Sequence, residues 1–142
     1  MQVTYSGEVA NTAALTKQTA YTTTSTTPVL SGVGVVVTPL NGNTIYITGS
    51  AALSNTTATD GVEIDIYYAA GATTVPVGGT ATVGYIAYGL TASITGSAIV
   101  PIDAVITGLI PNIDYVFTIG VTAITGGTAS MTLNGLKIKD TI

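Results

Sequence analysis

The chain has 142 residues, a length that fits one domain, and it carries few charges: three Lys or Arg against seven Asp or Glu, for a formal net charge of −4. This balance argues against nucleic acid as a partner, because that binding needs a basic stripe to displace counterions. The chain has no cysteine for a disulfide or a thiolate metal site, and no histidine, the commonest general base and metal ligand. It also has no apolar run of eighteen residues, so we expect no membrane span.

The composition predicts a chain that associates. Hydrophobic residues make up 46% of the sequence and charged residues only 7%, so threonine, serine and asparagine must supply most of the polar surface. A neutral surface of this kind tends to associate unless its apolar area lies in a permanent interface. We therefore expect an oligomer or a docked part of an assembly.

The first 21 residues are predicted to form an N-terminal arm. This segment has short Thr-rich and Ala-rich pieces, a strand signal near Val3 and Tyr5, and little to bury. The sequence that follows, YTTTSTTPVL, is polar and β-branched and predicts an edge strand halted by Pro28, since proline cannot donate to a ladder. The main domain is placed at residues 22–142.

The middle of the chain shows the two-residue period of half-buried strands. In NTIYITGSAAL the core face is predicted to be Ile45, Ile47, Gly49, Ala51 and Leu53. In DGVEIDIYYAAG the inward residues are predicted to be Val62, Ile64, Ile66 and Tyr68, with Glu63, Asp65 and Tyr67 pointing outward. Two further strands are predicted near 83–88 and 99–106, with Pro101 at an edge or a bulge.

The last third of the sequence is predicted to form a hairpin. One face of its first strand is predicted to hold Ile113, Tyr115, Phe117, Ile119, Val121 and Ala123. Gly126 and Gly127 permit the positive φ angles of a tight turn, and the apolar phase of the return strand shifts at Asn134 and Gly135, which indicates a bulge. With no helical stripe anywhere, strands at about ten-residue spacing predict an all-β fold, an antiparallel β-sandwich or jelly roll with an N-terminal arm.

The residues do not indicate an enzyme. A Ser or Thr nucleophile needs a base, and without histidine only Lys17, Lys137, Lys139 or a carboxylate could serve, none of them in a local motif. The Gly-rich pieces lack the lysine of a P-loop and the helix of a dinucleotide fingerprint. We therefore predict no catalysis and no cofactor.

Three further features are candidates for other sites. Asp60, Glu63 and Asp65 form an acidic cluster that could hold a structural cation, because calcium prefers several oxygen ligands; the alternative is a solvated face. The triplet that begins at Asn55 matches a glycosylation acceptor, which matters only in a secreted protein. The eight tyrosines could form a carbohydrate-stacking surface, but in strands they more often half-bury at a sheet face or subunit interface.

Two resemblances follow from these residues. GLIPNIDYVFTIGV resembles the corner of fibronectin type III domains, with Leu109, Pro111 and Tyr115 at the matching spacing, although the early core tryptophan of that family is missing. More broadly, the Thr-rich first strand ending STTPV, the strands GNTIYI and DGVEIDIYY, and the terminal TGGTAS hairpin resemble the small C1q/TNF-like jelly-roll modules of tailed-phage virion proteins. That resemblance implies a homotrimer on a virion.

Within this resemblance, a head decoration protein is the expected function: a trimer on the capsid surface that binds the major capsid protein and stabilises the lattice. The arm is expected to contact the lattice or a neighbour by strand addition. The residues expected at interfaces are Val3, Tyr5, Tyr21, Val36, Tyr46, Tyr67, Ile119 and Ile138. The alternatives are a receptor-binding tip module of a tail fibre and an extracellular filament subunit.

Overall fold

The computed structural model describes residues 12–40, 42–71, 75, 77–80 and 84–140. These residues form ten β-strands: β1 Thr12–Leu15, β2 Tyr21–Thr23, β3 Val29–Val37, β4 Ile45–Asn55, β5 Gly61–Ala70, β6 Val77–Thr80, β7 Ile86–Thr95, β8 Ser97–Ile106, β9 Tyr115–Ile124 and β10 Ala129–Asp140. The described residues contain no helix that could cross a membrane. The all-β prediction is confirmed.

The strands form two antiparallel sheets with the nested pairing of a jelly roll. In sheet A, β1 and β2 lie along β10, which is followed by β4 and β8; in sheet B the order is β6, β3, β9, β5 and β7. The pairs β2 with β10, β3 with β9, β4 with β8, and β5 with β7 are those of one long hairpin whose bend lies between β5 and β7. Rolling that hairpin up brings β10 beside β4 and β9 beside β5. The chain is a jelly roll.

The core lies between the two sheets and uses the faces that the alternation predicts. Ile45, Ile47 and Leu53 of β4 are buried, and they face Val62, Ile64 and other apolar residues of sheet B. Three aromatic side chains pack together in the core, with ring centroids 5.9 to 6.4 Å apart: Tyr68, Tyr115 and Phe117. The prediction differs at Ile113, which precedes β9 in a loop and is 38% exposed.

Strand β9 is buried on both faces, because sheet B carries a second, smaller apolar layer on its outside. Leu30 and Tyr67 pack together there with Tyr85 against them. The ring of Tyr67 lies over Gly120, where an added Cβ would come within 2.5 Å of the ring atom Cε2. Glycine at position 120 therefore makes room for the tyrosine.

The predicted turn and bulge are both present. Gly126 and Gly127 have φ angles of 133° and 72° in the turn that joins β9 to β10. The predicted hairpin is wrong, because these two strands do not pair: β9 lies between β3 and β5 in sheet B, and β10 lies beside β4 in sheet A. The register between β10 and β4 shifts between Leu133 and Gly135, which confirms the bulge. At this bulge the backbone of Gly49 approaches the carbonyl of Gly135 so closely that a Cβ would collide with it.

The described part of the predicted arm belongs to sheet A. Strand β1 pairs with β10 from Thr12 opposite Lys139 to Leu15 opposite Leu136, and β2 pairs with the beginning of β10. Leu15 and Tyr21 also pack against the core. Strands β1 and β2 thus form an edge of sheet A, so this part of the predicted arm is paired within the sandwich. Val3 and Tyr5 lie outside the described residues.

Candidate interaction surface

Large apolar side chains are exposed at one end of the sandwich. Ile110 is 62% exposed and Leu40 46%, and they belong to the two loops that follow β8 and β3. On the outer face of sheet A at the same end, Tyr46 and Val105 face each other in register and are also exposed. We call this region the apolar end and define it as Leu40, Tyr46, Val105, Ile110 and Ile113. Single exposed apolar residues are common, but several at one end of a fold make that end a candidate interaction site.

Backbone hydrogen bonds hold the two loops of the apolar end together. The N–H of Leu109 donates to the carbonyl of Asn43 at 3.0 Å, and the N–H of Asn112 donates to the carbonyl of Pro39 at 2.6 Å. Asn112 adopts a φ of 68°, a conformation that asparagine tolerates better than most residues. The loops are therefore fixed to each other rather than independent.

Tyr115 anchors the loop after β8. Its hydroxyl accepts a hydrogen bond from the N–H of Ile110 at 2.9 Å, while Leu109 is buried. A tyrosine at the start of a penultimate strand that bonds back to the backbone a few residues upstream is the tyrosine corner of β-sandwiches. This is the corner to which the spacing of Leu109, Pro111 and Tyr115 pointed. It presents Ile110 to solvent on a rigid turn.

The opposite end of the sandwich is polar, and its side chains are hydrogen-bonded within the protein. The side-chain amide of Asn55 donates to the carbonyls of Gly61 and Gly126 at 3.1 and 2.9 Å, and its Oδ1 accepts from the N–H of Thr57 at 2.9 Å. Both amide hydrogens are used and Asn55 is only 9% exposed. Because a glycan would have to be attached to this buried nitrogen, the structure does not support the glycosylation reading of the triplet.

The three acidic residues proposed as cation ligands have different partners. Asp60 lies at the polar end, where its Oδ1 accepts from the hydroxyl of Thr125 at 2.8 Å. Glu63 and Asp65 lie on the outer face of sheet B and hydrogen-bond each other through their side chains. Across the described part of the chain, no three acidic side chains come together in a group that could hold a metal ion.

Asp65 is a buried acid. It is 6% exposed, and its Oδ1 accepts from the N–H of Thr91 at 3.1 Å. Burial, followed by the hydrogen bond and the charge of Glu63, raises the pKa of Asp65 from 3.8 to about 7, against the opposing effect of the Thr91 N–H. Burial and the two carboxylates also raise the pKa of Tyr67. Asp65 can therefore keep its proton near neutral pH.

The predicted interface residues fall into two groups. Tyr46 is 46% exposed at the apolar end, while Val36 on the outer face of sheet B and Tyr21 beside β10 are half-buried. Ile119 and Ile138 are fully buried, and Tyr67 is 3% exposed. Ile119 shares the inward phase of Phe117, and the bulge at Gly135 turns Ile138 inward. These three side chains offer no surface to a neighbour, so we remove them from the interface.

The sequence did not predict that Leu40, Val105 and Ile110 would be exposed at a candidate interaction surface. Leu40 and Ile110 lie in loops, where alternation gives no information, and Val105 is the outward residue of an edge strand. A signal for the loop residues was present, because each adjoins a proline, Pro39 or Pro111, that interrupts the strands on either side. A large aliphatic residue in such a position has no sheet to bury it.

Comparison with known proteins supports the fold. No protein family and no curated protein match the sequence. Among solved structures, the VP2 subviral particle of infectious bursal disease virus is similar over 94% of this chain, with 15% identity and a TM-score of 0.52. Structures of the Gt and Gx strains of that virus match with 14% and 12% identity over 89% and 92% of the chain, at TM-scores of 0.46 and 0.44. This chain covers only about a third of each, 32 to 33%.

Proposed function

We propose that this protein is a non-enzymatic structural protein of a virion, and that it acts as a homotrimeric decoration protein on the capsid surface. The observation that carries the proposal is the jelly roll with nested strand pairs, a fold it shares with a viral capsid protein. The resemblance of its strands to the C1q/TNF-like modules of tailed phages supports the narrower role.

The surface suits a docked protein. One end is closed by Asn55 and Asp60, and the other presents Leu40 and Ile110 on loops that hydrogen bonds and Tyr115 hold in place. A preformed apolar surface loses little conformational entropy on binding, which favours a permanent contact. The major capsid protein is the partner that we propose for this end.

Binding of a decoration protein would stabilise a capsid, because binding and capsid assembly are thermodynamically linked. A protein that binds the assembled shell and not its free subunits adds RT ln(1 + [L]/Kd), or about 2.7 kcal/mol per site at a hundredfold excess over Kd. Many sites on one particle would add their contributions. This mechanism needs binding only and no catalytic group.

Two measurements test the proposal. Light scattering on a sizing column should give three times the chain mass of 14.2 kDa. An antibody against the purified chain should label virus particles in electron micrographs, where the particles are purified on a density gradient from a culture that produces the protein. A clean monomer or open-ended polymers would contradict the trimer, and unlabelled particles would contradict the virion role.

Matched variants locate the docking surface. The double substitution of Ile110→Ser and Ile113→Ser should abolish rebinding to stripped particles, because it removes exposed apolar area without touching the core. Ile99→Ser is the control, since Ile99 is 72% exposed on β8 toward the opposite, polar end of the sandwich. Equal rebinding by both variants would show that the apolar end is not the docking surface.

A further inference from the structure

Strand β8 forms a long open edge of sheet A. It pairs with β4 without interruption from Ser97 opposite Ser54 to Ile106 opposite Ile45, and within the described part of the chain it is the last strand on that side. The other edge of sheet A consists of the short strands β1 and β2. A regular edge of ten residues is a template for pairing with another chain.

The hydrogen-bond register shows which backbone groups of β8 are available. The N–H of Asn55 donates to the carbonyl of Gly96 at 3.0 Å, which marks this position at the end of the ladder as a hydrogen-bonded one, while the N–H of Gly96 donates to the carbonyl of Asp60 at 3.2 Å. Hydrogen-bonded and non-hydrogen-bonded pairs alternate along an antiparallel ladder. The residues that direct their backbone groups away from β4 are therefore Ser97, Ile99, Pro101, Asp103 and Val105.

Pro101 divides this edge into two halves. It has no N–H to offer, and its ring occupies the open side in the middle of the strand. Symmetric pairing of the whole of β8 with the β8 of another copy would bring the two Pro101 rings together near its centre. The edge therefore favours a short strand that pairs on one side of Pro101 only.

The half of β8 from 103 to 106 and the start of β1 lie at the same end of sheet A, on its two opposite edges. Thr12 pairs with Lys139, Lys139 with Tyr46, and Tyr46 with Val105, so these residues form one row across sheet A. The chain therefore enters β1 at the apolar end, and eleven residues precede Thr12 in the sequence. Fully extended, they could span at most about 36–40 Å, enough to reach an adjoining copy and pair along several residues.

We propose that residues 1–11 of one copy add a short strand to the 103–106 half of β8 in a second copy. Val3 and Tyr5 share one face of such a strand and would extend the apolar surface of Tyr46 and Val105. Around a threefold axis each copy gives one segment and receives one, which closes all three edges. The inference rests on the trimer of the proposed function and names the contact that forms it.

Cysteine pairs test the contact directly, because the chain has no cysteine of its own. Co-expressed Val3→Cys and Val105→Cys chains should form a disulfide-linked dimer on mild oxidation. Val3→Cys with Ser97→Cys is the control, since Ser97 lies on the same edge beyond Pro101. A dimer in the control mixture alone, or no dimer in either mixture, would overturn the proposal. It would also be overturned if a single chain that carries both Val3→Cys and Val105→Cys formed the disulfide within itself.

A proline substitution tests the same contact through the backbone. Val105→Pro removes an N–H that faces away from β4, so the strand should stay folded, as it does with Pro101. The solution mass should fall from three chains to one, whereas Ile99→Pro in the other half should leave it unchanged. A three-chain mass for Val105→Pro would overturn the inference. Both tests use purified protein without particles, so their failure is distinct from a failure of particle labelling.

Discussion

Asp65 should make the fold less stable as the pH rises from about 4 to about 7. Its pKa is about 7 in the folded protein against an ordinary value of 3.8, so in this window the folded state binds more protons than the unfolded state. The free energy of unfolding therefore falls with rising pH, and the contribution of Asp65 is constant below and above the window. This is the opposite of the usual behaviour of a carboxylate in an ion pair.

The size of the effect follows from the shift. At about 1.36 kcal/mol per pKa unit, a rise of roughly three units corresponds to an upper value of about 4 kcal/mol. Thr91 donates a hydrogen bond to the charged form and Glu63 is only half-buried, so water and relaxation should reduce this value. We expect a loss of about 2–4 kcal/mol between pH 4 and pH 8.

Asp65→Asn isolates the titration. The amide keeps the shape, its oxygen can accept from Thr91, and its nitrogen can donate to Glu63, but it has no proton to lose. Urea unfolding, followed by circular dichroism at fixed ionic strength and protein concentration, should show the variant about 2–4 kcal/mol more stable than the wild type at pH 8 and similar at pH 4.

Glu63→Gln provides the intermediate case. It removes the neighbouring charge but not the burial of Asp65, so the fall in stability should be smaller and should occur at lower pH. The chain has no histidine that could titrate in this range. An equal pH dependence of wild type and Asp65→Asn would refute the reasoning.

Three further variants test the packing. Tyr115→Phe should lower the free energy of unfolding by about 1–2 kcal/mol, because the N–H of Ile110 loses its acceptor. Asn55→Ala should cost about 2–4 kcal/mol through three lost hydrogen bonds at a buried position, and the wild-type chain expressed through a eukaryotic secretory pathway should keep its unmodified mass at Asn55. Gly49→Ala should cost about 1–3 kcal/mol, because the methyl group collides with the carbonyl of Gly135. Urea unfolding measures all three.

Each of these variants has a control in the same chain. Tyr88→Phe changes a tyrosine that is 42% exposed, and Asn43→Ala changes an exposed asparagine, so both should stay close to the wild type. Gly135→Ala adds a methyl group whose nearest neighbour, the carbonyl oxygen of Leu15, lies at an ordinary 3.6 Å. A test variant no less stable than its control would show that the contact contributes nothing.

Sequence alternation predicted the local structure well, because side chains on a strand repeat every two residues. Ile45 and Ile47 are buried as expected, and Pro101 lies on an edge strand, where its missing N–H faces away from β4. The bulge was visible because the apolar phase changes between Leu133 and Leu136. Each of these features depends on residues close together in the chain.

The strand order could not be read in the same way. The partners of β3 and β10 are strands far along the chain, and nothing in the residues of one strand specifies which distant strand lies beside it. Tyr67 shows a related limit. Alternation placed it on the outer face of β5, but only the fold shows that Leu30 packs with it there and buries it.

The asymmetry of the molecule is consistent with the specific association that we propose for so neutral a chain. The polar end satisfies its own groups through Asn55 and Asp60, which leaves little for a partner to bind. The other end exposes Leu40 and Ile110 and lies beside the open half of β8. Apolar area supplies affinity without direction, whereas the unpaired backbone of β8 has a fixed spacing and register. In the trimer that we propose, specific association therefore depends on backbone pairing beside an apolar surface and needs few charges.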